Sequence, residues 1–291
     1  MTTNTGNFDN PLILAIETSG RLGSVALACG DKLLAESRFS SPTRPGVGSA
    51  ETKEVIDTPT ISSAIERLKT PGRSQMRHSA EIFPAITDLL SKFSKKPDQI
   101  EHVYISLGPG SFTGLRIAVT IAKTIALANN AKIVAVDTLD CIAANISPQD
   151  NSQRLGVILD AKRGQFFIAV YEQSAQSDLS FLRKQESTDN YPLYATSYPL
   201  KKVLPDCLMT AEDFLAQFSD KPTALIGEGL VFYKDKFAHK NIRVFDEKFW
   251  NPSAANIHRL GWQLALQCQF ADPLTLTPNY VRGPDAIVKQ R

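Results

Sequence analysis

The feature that most restricts the fold of this chain is a segment pattern that occurs twice. Residues 12–31, LILAIETSGRLGSVALACGD, form an apolar strand that ends at an acid, Glu17, followed by a glycine turn and a second strand. Residues 154–173, RLGVILDAKRGQFFIAVYEQ, repeat this order with Asp160 and Gly164. Two such openings predict a duplicated α/β domain of βββαβαβα type. An acid at each strand end, with two lobes facing each other, is typical of the actin/hexokinase/Hsp70-like (ASKHA) fold.

The rest of the chain divides around this duplication. Residues 10–150 are predicted to form the first lobe, and residues 151–291 the second. Residues 40–75, rich in Pro, Ser, Thr and Gly, predict a surface insertion, and residues 1–9 a disordered tail. The last helix, 253–270, is expected to pack back on the first lobe.

Composition indicates a globular protein without an evident redox or membrane role. Of the 291 residues, 43% are hydrophobic and 21% charged, and the net charge of +2 gives no strong overall footprint for nucleic acid, although a local basic patch remains open. The four cysteines form no C-x-x-C pair. No apolar run approaches the ~18 residues of a membrane span. The first nine residues lack the regions of a signal peptide. A cytoplasmic protein is expected.

A glycine segment, GPGSFTGLRI, joins an apolar strand to a long helix. It is not a Walker A loop, because Gly114 is followed by Leu115 and Arg116 instead of lysine and a hydroxyl residue. It is not a Rossmann loop, because three residues separate Gly110 from Gly114. A plain capped turn and an anion site at the helix start both remain open. The candidate anion- or nucleotide-binding residues are Glu17, Thr18, Ser19, Gly108, Gly110, Ser111, Thr113, Gly114 and Asp160.

The helix after the glycines is apolar at almost every position from Leu115 to Ala128. Only Arg116, Thr120, Lys123 and Thr124 interrupt it, and three alanines at four-residue spacing form a flat strip. Because a helix on one side of a sheet needs a single apolar stripe, this excess predicts a second packing partner, either the other lobe or another chain.

The acids that would serve phosphate chemistry stand in altered surroundings. In this fold, acids at the positions of Glu17 and Asp160 hold a metal–nucleotide or the attacking water. Lys162 and Arg163 follow Asp160 where a glycine-rich turn would let backbone N–H groups approach phosphate. The sequence therefore predicts a degenerate site. No histidine pair with metal-binding spacing occurs, since Ile82 stands four residues after His78.

Six segments carry a resemblance to a known family. They read LILAIETSGRLGSVAL, RHSAEIFPAITDLL, ISLGPGSFTGLRIAVTIAKTIALA, VILDAKRGQFFIAVY, IGEG and LTPNYVRGPDA. Together they resemble the TsaB (YeaZ) family, the bacterial partner proteins of threonylcarbamoyladenosine (t6A) modification of tRNA. The resemblance runs from Pro11 to Pro284. Ala118 departs from it, since the family usually has glycine there, and the insertion at 40–75 is long.

The resemblance implies a subunit that performs no chemistry itself. The catalytic relatives, TsaD, carry a histidine pair that is broken here at His78 and Ile82. The family binds TsaD as a heterodimer through its first two helices, with TsaE in a larger complex and tRNA contacted through that complex. No metal or cofactor is required, although weak ATP or ADP binding in the complex is open. The implied interface residues are Arg77, His78, Ile82, Ile86, Phe112, Leu115, Ala118, Val119, Ala122 and Ala126.

Three further expectations complete the sequence interpretation. An apolar helix pair left without its partner predicts a homodimer of the isolated chain. The alternative function is an active ATPase or kinase-like phosphotransferase that uses Glu17 and Asp160 around magnesium. A metalloprotease, the third candidate, lacks a second histidine ligand.

Overall fold

The computed structural model describes residues 10–40, 77–146, 153–173 and 200–281. The predicted tail at 1–9 and residues 41–75 of the predicted insertion lie outside these ranges. The described residues form two five-stranded sheets with helices packed against them. None of the helices within these ranges is both long and apolar enough to cross a membrane.

The first sheet is built around a strand that is buried along its whole length. Its strands are β1 (Leu12–Glu17), β2 (Leu22–Cys29), β3 (Lys32–Ser40), β4 (His102–Gly108) and β5 (Lys132–Asp137). They lie in the order β3-β2-β1-β4-β5, with β2 antiparallel and β4 parallel to β1. The continuous apolar sequence of β1 suits this central position, because both of its faces are covered.

The second sheet repeats this arrangement. Its strands are β6 (Arg154–Asp160), β7 (Gln165–Gln173), β8 (Leu200–Thr210), β9 (Thr223–Ile226) and β10 (Ile242–Val244). Their order is β10-β9-β6-β7-β8, with β7 antiparallel and β9 parallel to β6. Each strand thus has a counterpart in the first sheet, which confirms the predicted duplication and the two-lobed ASKHA-like fold.

The helices cover the sheets and join them. They are α1 (Arg77–Lys92), α2 (Phe112–Asn129), α3 (Thr138–Ala143), α4 (Ala211–Phe218), α5 (Leu230–Tyr233) and α6 (Ala254–Leu266). Helices α1 and α2 share one core with the first sheet. Helix α6 packs on β1, β2, β4 and β5 through a second core that contains Ile257 and Tyr104. Leu139 and Ile142 of α3 join the core of the second sheet instead.

Candidate functional site

The glycine segment packs directly on the end of β1. A β-carbon on Gly114 would stand 1.8 Å from the carbonyl oxygen of Thr18, and one on Gly110 would stand 2.7 Å from that of Ser19. The backbone N–H of Ser111 donates to the Ser19 carbonyl at 2.8 Å. Gly108 has a φ of +125° and lies against the backbone of Asn279. Close backbone packing and positive φ therefore account for all three glycines without a ligand.

The start of α2 is capped within the chain. Ser111 is the N-cap residue, and its Oγ accepts from the backbone N–H of Gly114 at 3.3 Å. Thr18 Oγ1 donates to the carbonyl of Gly114 at 2.7 Å, while Thr113 lies exposed in the first turn. Of the two interpretations left open by the sequence, this geometry favours the capped turn, because the N–H groups of Ser111 and Gly114 already have protein partners.

Glu17 faces the protein interior at the end of β1. It has no exposed surface, and its Oε1 accepts from both the backbone N–H and the Oγ of Ser19 at 2.5 Å. Burial raises the pKa of Glu17, and the hydrogen bonds from Ser19 lower it only in part. Magnesium prefers charged and accessible carboxylate oxygens. A carboxyl that is fully buried, with a raised pKa and one oxygen already bound by Ser19, is therefore a poor magnesium ligand.

Asp160, the matching acid of the second lobe, is neutralised by its own turn. Lys162 Nζ lies 2.5 Å from Asp160 Oδ2, and the Lys162 backbone N–H donates to Oδ1 at 2.8 Å. Lys162, Arg163 and Gly164 have φ values of +66°, +57° and +76°, so three consecutive residues are left-handed and two carry bulky side chains. This conformation folds the lysine back over the acid, as expected of the degenerate turn that the sequence predicted.

A loop of the second lobe mirrors the glycine segment of the first. Residues 227–229, GEG, follow β9, and a β-carbon on Gly227 would stand 2.3 Å from the carbonyl oxygen of Ile158 in β6. The backbone N–H of Gly229 donates to the same oxygen at 3.0 Å. The loop thereby holds Glu228 beside the end of β6, which is the position that corresponds to the end of β1.

Arg21 links the two lobes at this point. Its Nε lies 3.5 Å from Glu228 Oε2, and its guanidinium lies 5.0 Å from the centre of the Phe232 ring. Burial raises the pKa of Glu228, while Arg21 and Lys162 act in the opposite direction. Sequence reasoning missed Arg21, Glu228 and Phe232. The only signal was IGEG, which marks a family resemblance but does not reveal a partner in the other lobe.

Most of the predicted interface residues lie inside the chain's own first core. The residues concerned and their exposed fractions are Ile82 0%, Ile86 9%, Leu115 1%, Ala118 0%, Val119 7%, Ala122 0% and Ala126 5%. Phe112 is 46% exposed, and the side chains of Arg77 and His78 lie outside the described part of the chain. The predicted alanine strip packs inward, because α1 and the first sheet cover it.

The polar residues of α2 show which side of this helix the chain itself leaves uncovered. Arg116, Thr120 and Thr124 are all exposed and Lys123 is half-buried, so the polar residues that interrupt the helix lie on its outward side. Helix α2 is therefore amphipathic, with one covered side. Among the described side chains of the two helices, three large apolar groups remain outside: Phe83 is 59% exposed, Phe112 is 46% exposed and Leu127 is 71% exposed.

The C-terminal segment of the described chain lies along α2. Arg116 Nε donates to the Tyr280 hydroxyl at 3.1 Å, and the Phe112 and Tyr280 rings are 5.0 Å apart. Lys123 Nζ donates to the carbonyl of Leu274 at 3.5 Å. This segment covers part of the polar side of α2, so any partner on that side must contact both.

One cluster among the described residues has the spacing of a metal site, at the boundary of the two sheets. It consists of Asp137, Asp140 and Asp206. Lys202 Nζ lies 2.8 Å from Asp140 and 2.5 Å from Asp206, and the Tyr171 hydroxyl donates to Asp140 at 2.6 Å. The ammonium group already supplies a positive charge among the carboxylates, which makes the cluster a structural ion-pair network.

Comparison with known proteins finds relatives in sequence. Residues 61–184 match the family model described as TsaD: tRNA N6-adenosine threonylcarbamoyltransferase. The tRNA threonylcarbamoyladenosine biosynthesis protein TsaB of Bacillus subtilis (strain 168) is 28% identical over 217 residues, which are 73% of this chain and 82% of that protein. TsaB of Escherichia coli (strain K12) is 30% identical over 96 residues, 33% of this chain and 42% of the relative.

Solved structures agree with the fold. YeaZ from Pseudomonas aeruginosa has a TM-score of 0.65 at 17% identity, covering 93% of this chain and 99% of that one. At this identity the likeness concerns the fold alone. Together with the sequence relatives, it confirms the resemblance to the TsaB (YeaZ) family.

Proposed function

We propose that this chain, a relative of the TsaB (YeaZ) proteins, takes part in t6A biosynthesis as a non-catalytic subunit that binds and activates a TsaD-type threonylcarbamoyltransferase. The relatives are named as proteins of this biosynthesis, and the TsaD family model matches residues 61–184, which include α1 and α2. The observation that carries the non-catalytic assignment is the state of the two cleft acids, Glu17 and Asp160.

Each acid has lost a property that phosphotransfer requires. Glu17 has no exposed surface and its carboxyl is bound by Ser19, and Asp160 is held in an ion pair with Lys162. Arg21 and Glu228 bridge the lobes where a nucleotide would enter between them. A metal–nucleotide complex would have to break these contacts and remove the hydrogen bonds of Ser19 before it could bind.

The partner contact is proposed to use the outer surfaces of α1 and α2. Phe83 and Leu127 are the large apolar residues most exposed on these helices, and exposed apolar side chains gain free energy when a partner covers them. A heterodimer with a TsaD-type subunit, a larger complex with TsaE, and tRNA contact through that complex follow from the proposal. The isolated chain is proposed to form a homodimer through the same helices. Neither a metal nor a cofactor is required, and weak ATP or ADP binding in the complex belongs to the proposal.

The test is reconstitution with the TsaD-type protein of the same organism. We expect the two chains to co-elute in size-exclusion chromatography, and t6A formation on tRNA to drop to background when this chain is omitted. The chain alone should hydrolyse ATP no faster than a buffer control. A full rate of t6A synthesis without this chain would refute the activating role, and brisk ATP turnover by the chain alone would instead support the phosphotransferase alternative.

A further inference from the structure

Two ion pairs lie beside the ends of β1 and β6, and in each the cation is more exposed than the acid. The side chain of Lys162 is 75% exposed, whereas that of its partner Asp160 is only 7% exposed. The side chain of Arg21 is 37% exposed, whereas that of Glu228 is 20% exposed. Both cations lie close enough to Glu228 to act on its pKa, so they flank one acid. In both ion pairs the acid is the less exposed partner, so the cation is the charge that solvent mainly meets there.

An aromatic platform continues this positive surface. Phe232 is 64% exposed, with the Arg21 guanidinium 5.0 Å from its ring centre. The next ring, that of Tyr233, is 6.5 Å from the Phe232 ring, and Lys236 Nζ lies 5.4 Å from its centre. Tyr233 also packs edge-on against buried Phe166 at 5.4 Å, which fixes the platform to the core of the second sheet.

We infer that this cationic–aromatic surface (Arg21, Lys162, Phe232, Tyr233 and Lys236) binds single-stranded RNA. Proteins hold single strands by combining cations along the phosphate backbone with aromatic rings on which bases stack, and arginine beside a ring adds a cation–π contribution. The exposed Phe232 decides between partners, because a base can stack on its ring, whereas an acidic protein surface needs only the cations. The inference rests on the proposed function, in which tRNA is contacted through the complex, and adds a direct RNA contact by this chain.

The low net charge of the chain does not oppose this inference. At +2 for all 291 residues, the total leaves no broad electrostatic footprint. The contact must therefore be small, with few phosphates and one or two bases. A site of this size is expected to give weak, salt-dependent binding.

The test measures binding of the full chain to a fluorescein-labelled 12-nucleotide oligoadenylate by fluorescence anisotropy at two salt concentrations. We expect Phe232→Ala to weaken binding about tenfold or more, in line with the loss of one stacked base. Lys236→Gln should reduce the slope of log K against log salt by about 0.7, the value for one phosphate contact to a single strand. Phe232 is largely exposed, so its truncation should leave the circular dichroism spectrum and Tm unchanged.

The matched control is Lys132→Gln. Lys132 Nζ lies 4.7 Å from the centre of the Phe270 ring, which is the same kind of cation–ring pair, but Lys132 begins β5 at the opposite end of the first sheet. Its substitution should leave RNA binding unchanged. Equal weakening by Lys132→Gln would overturn the inference, as would undetectable binding of the unaltered chain at low salt. Equal competition by a polyglutamate peptide, without an effect of Phe232→Ala, would also refute it and assign the surface to an acidic protein. Because this assay needs neither TsaD nor t6A synthesis, its failure is distinguishable from failure of the proposed function.

Discussion

The carbonyl oxygen of Thr18 lies directly against Gly114, so that a β-carbon on this glycine would stand 1.8 Å from it. The Thr18 hydroxyl donates to the Gly114 carbonyl at 2.7 Å, which ties the end of β1 to the first turn of α2. The Thr18–Gly114 contact thereby holds α2 against the first sheet. The two helices of the proposed partner surface, α1 and α2, both pack on this sheet.

Gly114→Ala is expected to destabilise the fold, because the new methyl group must push the two backbones apart. Overpacking of this kind costs about 3 kcal/mol. Urea unfolding should show a lower midpoint. The control is Gly164→Ala, where no atom lies within 4 Å of the new β-carbon and only the φ of +76° is unfavourable, so the loss should be about 1 kcal/mol. Equal losses would contradict the backbone contact.

Glu17→Gln is expected to increase stability at high pH. Folding raises the pKa of Glu17 through burial, so its contribution to stability is present at low pH and is lost as the pH rises through the folded pKa. Glutamine stays neutral and keeps the acceptor for Ser19. Urea unfolding at pH 5 and pH 8 should show the advantage of the variant growing with pH.

The same variant separates the two functional hypotheses. A non-catalytic subunit should support t6A synthesis with Glu17→Gln at the unaltered rate. A loss of activity with an intact complex would indicate that the carboxylate takes part in chemistry.

Asp206→Asn should also increase stability, with the change centred near neutral pH. Burial raises the pKa of Asp206 to about 6, although Lys202 lowers it in part. Folding therefore favours the protonated acid, and its contribution is lost as the pH rises through about 6. The remaining acids, Asp137 and Asp140, still pair with Lys202 in the variant. Thermal unfolding between pH 5 and pH 8 measures the difference.

Asp220→Asn is the control of opposite sign. The hydrogen bond from Arg154 Nη1, 2.6 Å long, lowers the pKa of Asp220. Its stabilisation is present above the pKa of the unfolded chain and lost as the pH falls through the folded pKa, so the variant should be less stable at neutral pH. A similar response of the two variants would refute the assignment of burial as the dominant effect at Asp206.

Phe83→Ser and Leu127→Ser should each weaken binding to the TsaD-type partner by about tenfold, a loss typical of an exposed apolar contact at an interface. Both side chains are more than half exposed, so the Tm should change little. Val203→Ser, at a residue that is 41% exposed on the second sheet, is the control. Isothermal titration calorimetry measures the affinities, and an equal effect of Val203→Ser would exclude a specific contact at α1 and α2.

Much of the fold could be predicted from the sequence because its signals are local. The apolar runs of β1 and β6, each ending at an acid before a glycine turn, were sufficient to predict the duplication, and the glycine spacing excluded two phosphate motifs. The degenerate turn at Lys162 was also predictable, since two bulky residues replaced glycines. The edge strands β8 and β10 were not identified. In β8 the exposure alternates from Leu200 to Pro205, but Lys202 lies on the covered side and Val203 on the exposed side, so hydrophobic alternation gives little signal.

The sequence by itself determined the strand and helix pattern of the first lobe, the repeat and the family resemblance, because these depend on residues close together in the chain. Only the tertiary structure decided which side of α2 is covered. The apolar excess of that helix suggested an external partner, whereas Ala118 and Ala122 are buried by the chain's own sheet and α1. The contact of Arg21 with Glu228 also required the structure. The two residues are far apart in sequence, and only the packing of one lobe against the other brings their charges together.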